Sequence, residues 1–423
     1  MARCCIATGR RARLASSDFP ASLYVHVPFC VDKCLYCNFY SVPRRSVSQR
    51  LQEEVVEQTI EQAQFFLRAL GSVNPPPTVF MGGGTPSSLP RSLLHVLLRS
   101  LGAPSSQEWT VEANPESIDE EFLSECSAAG VTRISAGVQS TDDARLQALH
   151  RTGSRKDILR AVELLRLHWR ADVSLDFIAG IPGQTSQDVV ADLSLVDDLA
   201  VSHVSLYSLT YEPDTPLARL VQRGDVQPNS AEKDEALWFT GVEELRKRAY
   251  LHYEVSNFCR PAKECRHNLR YWRLEPYLGA GPGAVSTLPA EPIAEALGKR
   301  QIGREGGVLR MSNPRDLHGF LTGRKTMWGA QFELVSPEDF LLETLMMGLR
   351  LEEGVSTKLF RHRFGASLEE ILPGLWERWV ERGLARPIDD RIALSDSGRM
   401  MLDGLLAEIP RPRGGADLRI SWP

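Results

Sequence analysis

Three cysteines, Cys30, Cys34 and Cys37, are separated by three and then two intervening residues in a run that opens Tyr24-Val-His-Val-Pro-Phe-Cys30. Thiolates bind metal and hold iron–sulfur clusters. A cubane of four irons on three thiolates keeps one iron free of the protein, open to a substrate or cofactor. A lone Cys-x-x-Cys also serves zinc sites and redox pairs, but three cysteines without a fourth nearby are more specific. Zinc would need His26 or a distant residue, and His26 is expected to point along its strand, away from the loop. The expectation is therefore a 4Fe-4S cluster on Cys30, Cys34 and Cys37.

Other residues suit small-molecule binding. Gly82-Gly-Gly-Thr-Pro86 lets the backbone come close to a ligand or simply makes a tight turn. No G-x-G-x-x-G opens a helix there, so a dinucleotide site is not supported. Glu112 can accept hydrogen bonds from ribose hydroxyls, Arg151 can pair a carboxylate bidentately, and Gln139 and Asp176 add polar groups. Cys126 reads as a buried small hydrophobe. Cys259 and Cys265 read as structural in preference to a second ligand set.

Positioning these groups falls to an alternation of short β-branched or aromatic runs with longer helical patterns, the mark of β/α units on a parallel sheet. Strands are expected at 23–27, 78–81, 109–112, 133–138, 173–178 and 203–209. Helices are expected at 49–70, 91–101, 119–129, 156–168 and 186–199. The unusual residues fall at the C-terminal ends of these strands, where β/α barrels build active sites. The cysteine loop follows the first strand, Gly82 to Pro86 the second, and Glu112 and Gln139 end the third and fourth. Asp176 lies in the fifth before the Gly180-Ile-Pro-Gly-Gln184 turn, and Thr210 closes the sixth. The fold class is α/β, a partial six-unit barrel of the TIM type over residues 21–225 behind a basic leader, 1–20. An extension, 226–330, contains His267 to Trp272. A smaller, mostly helical domain, 331–423, carries an apolar stripe of Phe340, Leu341, Leu345, Met346, Leu349 and Leu351. Its hairpin turned at Asp389-Asp390 suggests a winged-helix-like module.

The chain has 423 residues, 43% hydrophobic and 24% charged, with a formal net charge of -5. Two or three soluble domains suit that length. The charge gives neither a nucleic-acid nor a membrane-surface footprint, and no apolar run reaches the roughly 20 residues of a membrane span. Eight cysteines are too sparse for a disulfide framework and argue for a reducing compartment. Residues 1–17 carry Arg3, Arg10, Arg11 and Arg13 without an acid or an apolar core. That excludes a secretory signal and leaves open a mitochondrial transit peptide. The cytoplasm is the expected location.

Together these motifs resemble the radical S-adenosylmethionine superfamily. The opening run, Gly137-Val-Gln-Ser140, His267-Asn-Leu-Arg-Tyr-Trp272 and Tyr277-Leu-Gly-Ala-Gly-Pro-Gly-Ala284 resemble its oxygen-independent coproporphyrinogen III oxidase group. The resemblance implies that S-adenosylmethionine chelates the open iron and is cleaved to a 5'-deoxyadenosyl radical by an electron from a flavodoxin- or ferredoxin-type donor. It places Tyr24, Gly84 and Thr85 at the methionine end with Tyr36 in the cysteine loop, Glu112 on the ribose, and Gln139, Arg151, Asp176 and Thr210 around the pocket. The oxidases of this group carry a fourth cysteine two residues after the third, where this chain has Cys37-Asn38-Phe39. That difference, the short N-terminal region and the His267 to Trp272 segment are similar to the HemW-type branch, regarded as haem chaperones. It implies bound haem, delivery to acceptor haemoproteins such as respiratory cytochromes, and possible peripheral membrane association. His267 is the candidate haem ligand, with Tyr271 and Trp272 packing on the macrocycle; a structural histidine is the competing reading. Coproporphyrinogen III oxidation is the alternative function.

Overall fold

Runs rich in Val, Leu, Ile and aromatic residues form six parallel strands in the computed structural model, which describes residues 20–71, 75–101, 106–199, 201–298, 307–410 and 420–422. They are β1 (Ser22–Val27), β2 (Thr78–Gly83), β3 (Glu108–Ala113), β4 (Arg133–Gln139), β5 (Asp172–Ala179) and β6 (His203–Ser208), paired in that order. Most of the basic leader, residues 1–19, lies outside the described residues.

Side chains alternate across a strand, and here the alternation separates two chemistries. Leu23, Val25, Val79, Met81, Trp109, Val111, Ile134, Val204 and Leu206 are fully buried or nearly so and face the surrounding helices. The other face of each strand lines the barrel interior with polar and aromatic groups. The helices Gln49–Ala69, Arg91–Leu101, Glu120–Ala129, Arg155–His168 and Ser186–Leu193 return the chain between strands. Their starts are chemically specified. Ser48 and Asp119 accept backbone N–H groups as N-caps, and Ser154 with Asp157 and Thr185 with Asp188 form capping boxes. The helix expected over 186–199 breaks at Ser194 into two pieces.

The extension is richer in strands than its glycines and prolines suggest. It supplies β7 (Leu251–Glu254), β8 (Asn257–Cys259), β9 (Tyr277–Ala280), β10 (Val285–Pro289) and β11 (Val308–Ser312), and Gln331–Val335 follows as β12. One twelve-stranded sheet results, in the order β12-β11-β10-β9-β1-β2-β3-β4-β5-β6-β8-β7, with β9 parallel to β1. Residues 331–335 thus pair into the large sheet.

From Ser336 onward a smaller module has its own core of Phe340, Leu345, Phe360, Phe364, Trp379, Leu394 and Leu405. The hairpin of Ala385–Ile388 and Arg391–Leu394 turns at Asp389-Asp390 and pairs with Val355–Ser356 in a three-stranded sheet. Met346 leaves the expected apolar stripe for solvent, and Met347 is buried in its place. Arg363 fastens the module to the extension, donating to the Arg273 and Leu274 carbonyls at 3.2 and 3.4 Å.

Candidate functional site

The cysteine loop leaves the end of β1 and is held at several points. Leu35 N–H donates to Leu149 O at 3.1 Å, and Leu217 N–H donates to Leu35 O at 2.9 Å. Leu35 and Tyr36 pack on Leu149, Ile178, Ile181, Leu209 and Leu217. All three cysteines are half-buried free thiols. Cys30 receives the Thr85 hydroxyl at 3.7 Å and Cys34 the Arg151 guanidinium at 3.6 Å. Arg151 is aimed by Asn114 Oδ1 at 3.1 Å and Gly137 O at 2.7 Å. Burial pushes the Cys37 thiol up to about 11 and raises that of Cys30. A bound metal overrides such a shift by deprotonating its thiol ligands. Among the described residues no three His, Cys, Asp or Glu side chains group around a single ion; a cubane instead offers irons at separate corners. Free thiols on an anchored loop, with a guanidinium and a hydroxyl aimed at two of them, fit the donor set of a 4Fe-4S cluster.

Gly82 to Gly84 run beside this loop. Gly84 N–H and Thr85 N–H donate to Val27 O and Phe29 O, both at 2.8 Å. A Cβ on Gly84 would lie 2.6 Å from those same carbonyl oxygens, and one on Gly83, at φ +100, would lie 2.4 Å from the His26 ring. The glycines are thus required by neighbours within the chain. His26 does not point away from the loop, as expected from its strand, but reaches the loop's far end. Its Nε2–H donates to Tyr40 O at 2.8 Å, leaving Nδ1 to accept the Tyr24 hydroxyl at 2.9 Å. Burial lowers its pKa to about 4, so the ring is neutral.

Glu112 and Asp176 face the interior, half-buried. Burial raises Glu112 to about 8, with Asp176 adding to the rise and the Gly83 N–H opposing it. That N–H reaches Glu112 Oε2 at 3.2 Å. Asp176, also raised by burial, accepts the Ser135 hydroxyl at 3.0 Å and the Ser174 hydroxyl at 3.3 Å. A cavity of about 40 Å³ is lined by Phe80, Thr110, Glu112, Ser135, Asp176 and Tyr207 among others. A larger groove, about 400 Å³, lies beside Val335, Leu342, Met346 and Leu406 and touches none of the candidate residues.

Gln139 sits in the left-handed region at φ 67, at a register shift between β4 and β5. The loop after it is pinned by Asp192, which accepts Thr141 N–H at 2.6 Å, the Thr141 hydroxyl at 2.7 Å and the Ser140 hydroxyl at 3.1 Å. Gln184 closes the Gly180 turn itself, accepting Gly180 N–H at 2.8 Å and donating to Ile178 O at 3.2 Å. Thr210 is exposed just past β6.

Thus Tyr24, Tyr36, Gly84, Thr85, Glu112, Gln139, Arg151 and Asp176 surround one end of the barrel with the cysteines. His267 does not join them. It stands in the first turn of the helix Arg266–Trp272, which closes the opposite end. Its Nδ1–H donates to Thr78 Oγ1 at 2.9 Å, Thr78 donates to Ser22 at 2.8 Å, and its ring packs on Phe80. Burial pushes it down to about 3. Nor do the two aromatics near it form a platform, since Tyr271 is exposed and Trp272 packs against the core of the C-terminal module. Asn114, Ser135, Ser174, His203 and Tyr207 were not singled out from sequence. The available signal was polar residues two apart inside strands, at 133 and 135, 174 and 176, and 203 and 205.

The chain matches the profile of the Radical SAM superfamily over residues 24–196 and that of the HemN C-terminal domain over 335–401. The Bacillus subtilis protein named Heme chaperone HemW is 30% identical, covering 90% of this chain and 96% of that protein. Its Escherichia coli namesake is 31% identical, covering 92% and 97%. Mouse radical S-adenosyl methionine domain-containing protein 1, mitochondrial, is 33% identical, covering 92% and 83%. Among solved structures, coproporphyrinogen III oxidase (HemN) of Escherichia coli aligns with a TM-score of 0.72 over 92% of this chain and 91% of that chain. At 18% identity, that likeness speaks for the fold alone.

Proposed function

The chain belongs to the radical S-adenosylmethionine superfamily and, within it, to the HemW family, and from that premise we propose that it is a haem chaperone carrying a 4Fe-4S cluster and S-adenosylmethionine. One observation carries the choice of chaperone over oxidase. The residue two after Cys37 is Phe39, 65% exposed on the loop rim, and it offers no thiol there.

In this reading Cys30, Cys34 and Cys37 hold the cluster, Arg151 and Thr85 steady two of its thiolates, and Tyr36 with the apolar group around Leu149 keeps water from its underside. When bound, cluster and cofactor together supply one-electron reductive chemistry. Glu112 and Asp176 face a cationic cofactor with two carboxylates whose protein partners are a backbone N–H and hydroxyls, so their charge is left for the ligand. Gly83 and Gly84 fix the strand end from which Thr85 reaches Cys30. Tyr24 is held by His26 at the methionine end, and Gln139 and Thr210 complete the pocket.

Haem is the cargo, and acceptor haemoproteins such as respiratory cytochromes receive it. A flavodoxin- or ferredoxin-type protein is the electron donor. Among the described residues no helix is long and apolar enough to cross a membrane. The proposed place is the cytoplasm, or the mitochondrion if residues 1–20 act as a transit peptide.

The test is anaerobic reconstitution followed by haem titration, with a parallel assay of coproporphyrinogen III supplied with reductant and S-adenosylmethionine. Tight stoichiometric haem binding without turnover supports the chaperone. Steady formation of protoporphyrinogen refutes it. Cys30→Ser must lose the 4Fe-4S spectrum; an intact spectrum would remove the cluster assignment.

A further inference from the structure

A continuous line of hydrogen bonds ties the pocket to the closed end of the barrel. Ser174 Oγ lies 3.3 Å from Asp176 Oδ1 and 2.8 Å from His203 Nδ1. His203 Nε2 lies 2.8 Å from the Tyr253 hydroxyl, which accepts Cys265 N–H at 3.2 Å. Ser174, His203, Tyr253 and Cys265 are all buried.

The chemistry of each group fixes the direction of the line. An ionised carboxylate only accepts, so Ser174 gives its single proton to Asp176. The serine oxygen then takes the N–H of His203 Nδ1. Burial and the neighbouring Arg133 keep that imidazole neutral, so its Nε2 is bare and accepts the Tyr253 O–H. The tyrosine oxygen retains a lone pair for the Cys265 amide. Every proton in the line points toward Asp176. Fully satisfied buried networks of this kind hold one arrangement rigidly.

We infer that Tyr253, His203 and Ser174 are positioning residues that orient the Asp176 carboxylate toward the positively charged part of the bound S-adenosylmethionine, and that the segment beginning at Cys265 anchors them. The inference rests on the reading that this pocket takes S-adenosylmethionine. It gives the segment running from Cys265 through Trp272 a role in cofactor binding exerted from the opposite end of the barrel, without contact to the cofactor. Removing the anchor frees Tyr253 to turn, and each later link loses its single polarity.

Histidine isosteres separate orientation from bulk. His203→Asn keeps an N–H where Nδ1 stood; His203→Gln keeps an acceptor where Nε2 stood but offers Ser174 nothing. The full chain is reconstituted anaerobically and its affinity for S-adenosylmethionine is measured by equilibrium dialysis, with iron and sulfide content and thermal midpoint as controls. A hydrogen bond to a charged group governs affinity here, so His203→Gln and Ser174→Ala should weaken binding about tenfold to a hundredfold, and His203→Asn, which keeps the Ser174 link but loses the one to Tyr253, by a smaller factor of about threefold to tenfold. Iron and sulfide content should stay at the wild-type level in all three. Equal losses in the two histidine variants, or unchanged affinity in both His203→Gln and Ser174→Ala, overturn the inference. Should His203→Gln fail to fold, Ser174→Ala deletes the last link alone, and wild-type affinity in that variant is refutation enough. A wild-type protein that binds no S-adenosylmethionine removes the reading of the pocket itself.

Discussion

Glu112 should make the ligand-free protein less stable as pH rises, and its removal should reverse that loss at the expense of ligand affinity. Its carboxyl faces the barrel interior, where burial and the nearby Asp176 raise it from the ordinary 4.5 to about 8. Between those values the folded protein holds a proton that the unfolded chain has lost. The stabilising contribution is therefore complete below the unfolded pKa and is lost as pH rises through about 8. A tenfold change in proton affinity is worth about 1.4 kcal/mol, so the whole effect is on the order of 3–5 kcal/mol. Glu112→Gln cannot ionise, and its carbonyl can still accept the Gly83 N–H. Anaerobic urea unfolding, followed by the fluorescence of tryptophans that include the fully buried Trp109 on the same strand, should show the variant's advantage growing from pH 5.5 to pH 9. S-adenosylmethionine affinity should fall about tenfold or more with the lost charge. Parallel stability curves for variant and wild type, or a variant less stable at pH 9, would refute the account of a buried carboxylate kept for its ligand.

Other substitutions probe the supports of the site. Gly83→Ala places a Cβ 2.4 Å from a histidine ring bonded at both nitrogens, whereas Gly71→Ala, also at positive φ, meets nothing within 4 Å. Denaturation should cost the first more than about 3 kcal/mol and the second about 1 kcal/mol; equal costs would mean the His26 contact yields. Asp192→Ala orphans three donors beside Gln139 and should lose about 2–4 kcal/mol and also S-adenosylmethionine affinity, with stability loss alone refuting a link to the pocket. Arg363→Met leaves the carbonyls of Arg273 and Leu274 without that donor. Limited proteolysis should then release the C-terminal module faster than in wild type, and an unchanged cleavage rate would show that apolar packing alone holds the joint.

The barrel strands were legible because each is a β-branched or aromatic run ended by glycine, proline or a polar residue, a signal local to a few positions. The hairpin at Asp389-Asp390 was legible for the same reason. Strand β9 was not: four residues, Tyr277–Ala280, pair in parallel with β1 from more than 250 positions away in sequence, and no local pattern records such a partner. His267 misled for a related cause. A histidine opening a distinctive segment looks like a ligand, and only the pairing of Thr78 with Ser22 beneath it shows the ring filling a structural role. His26 was placed on its strand correctly, but side-chain reach to Tyr40 depends on the path of a loop that spacing does not describe.

The strand beginnings explain why that closing segment has the composition it has. All six barrel strands start with a polar residue: Ser22, Thr78, Glu108, Arg133, Asp172 and His203. Thr78, Glu108, Arg133, Asp172 and His203 each meet the chain between Tyr253 and His267, and Ser22 meets it through Thr78. Thr78 takes His267 and donates to Ser22; Glu108 accepts Arg266 N–H and His267 N–H, both at 3.0 Å. Arg133 pairs with Glu108 at 3.4 Å and donates to the Lys263 and Glu264 carbonyls. Lys263 reaches Asp172 at 2.9 Å, and His203 bonds Tyr253. A TIM-type barrel usually fills its interior with branched apolar side chains and needs no separate closure. This interior is kept polar for a ligand, so strand ends at the far side would otherwise expose charged and hydroxyl groups to a half-dry space, where unpaired polar atoms are costly. A segment able to donate and accept at these strand ends offsets much of that cost, although Arg133 Nε and Nη1 stay without a hydrogen-bond partner among the described residues. Glu108 and Arg133 hold each other and backbone groups of the segment, whereas an apolar segment would leave Asp172, Thr78 and His203 without Lys263, His267 and Tyr253, and a buried polar group left unpaired costs about 1–3 kcal/mol. The polar interior and the histidine-bearing segment are therefore one requirement, met from two distant parts of the sequence.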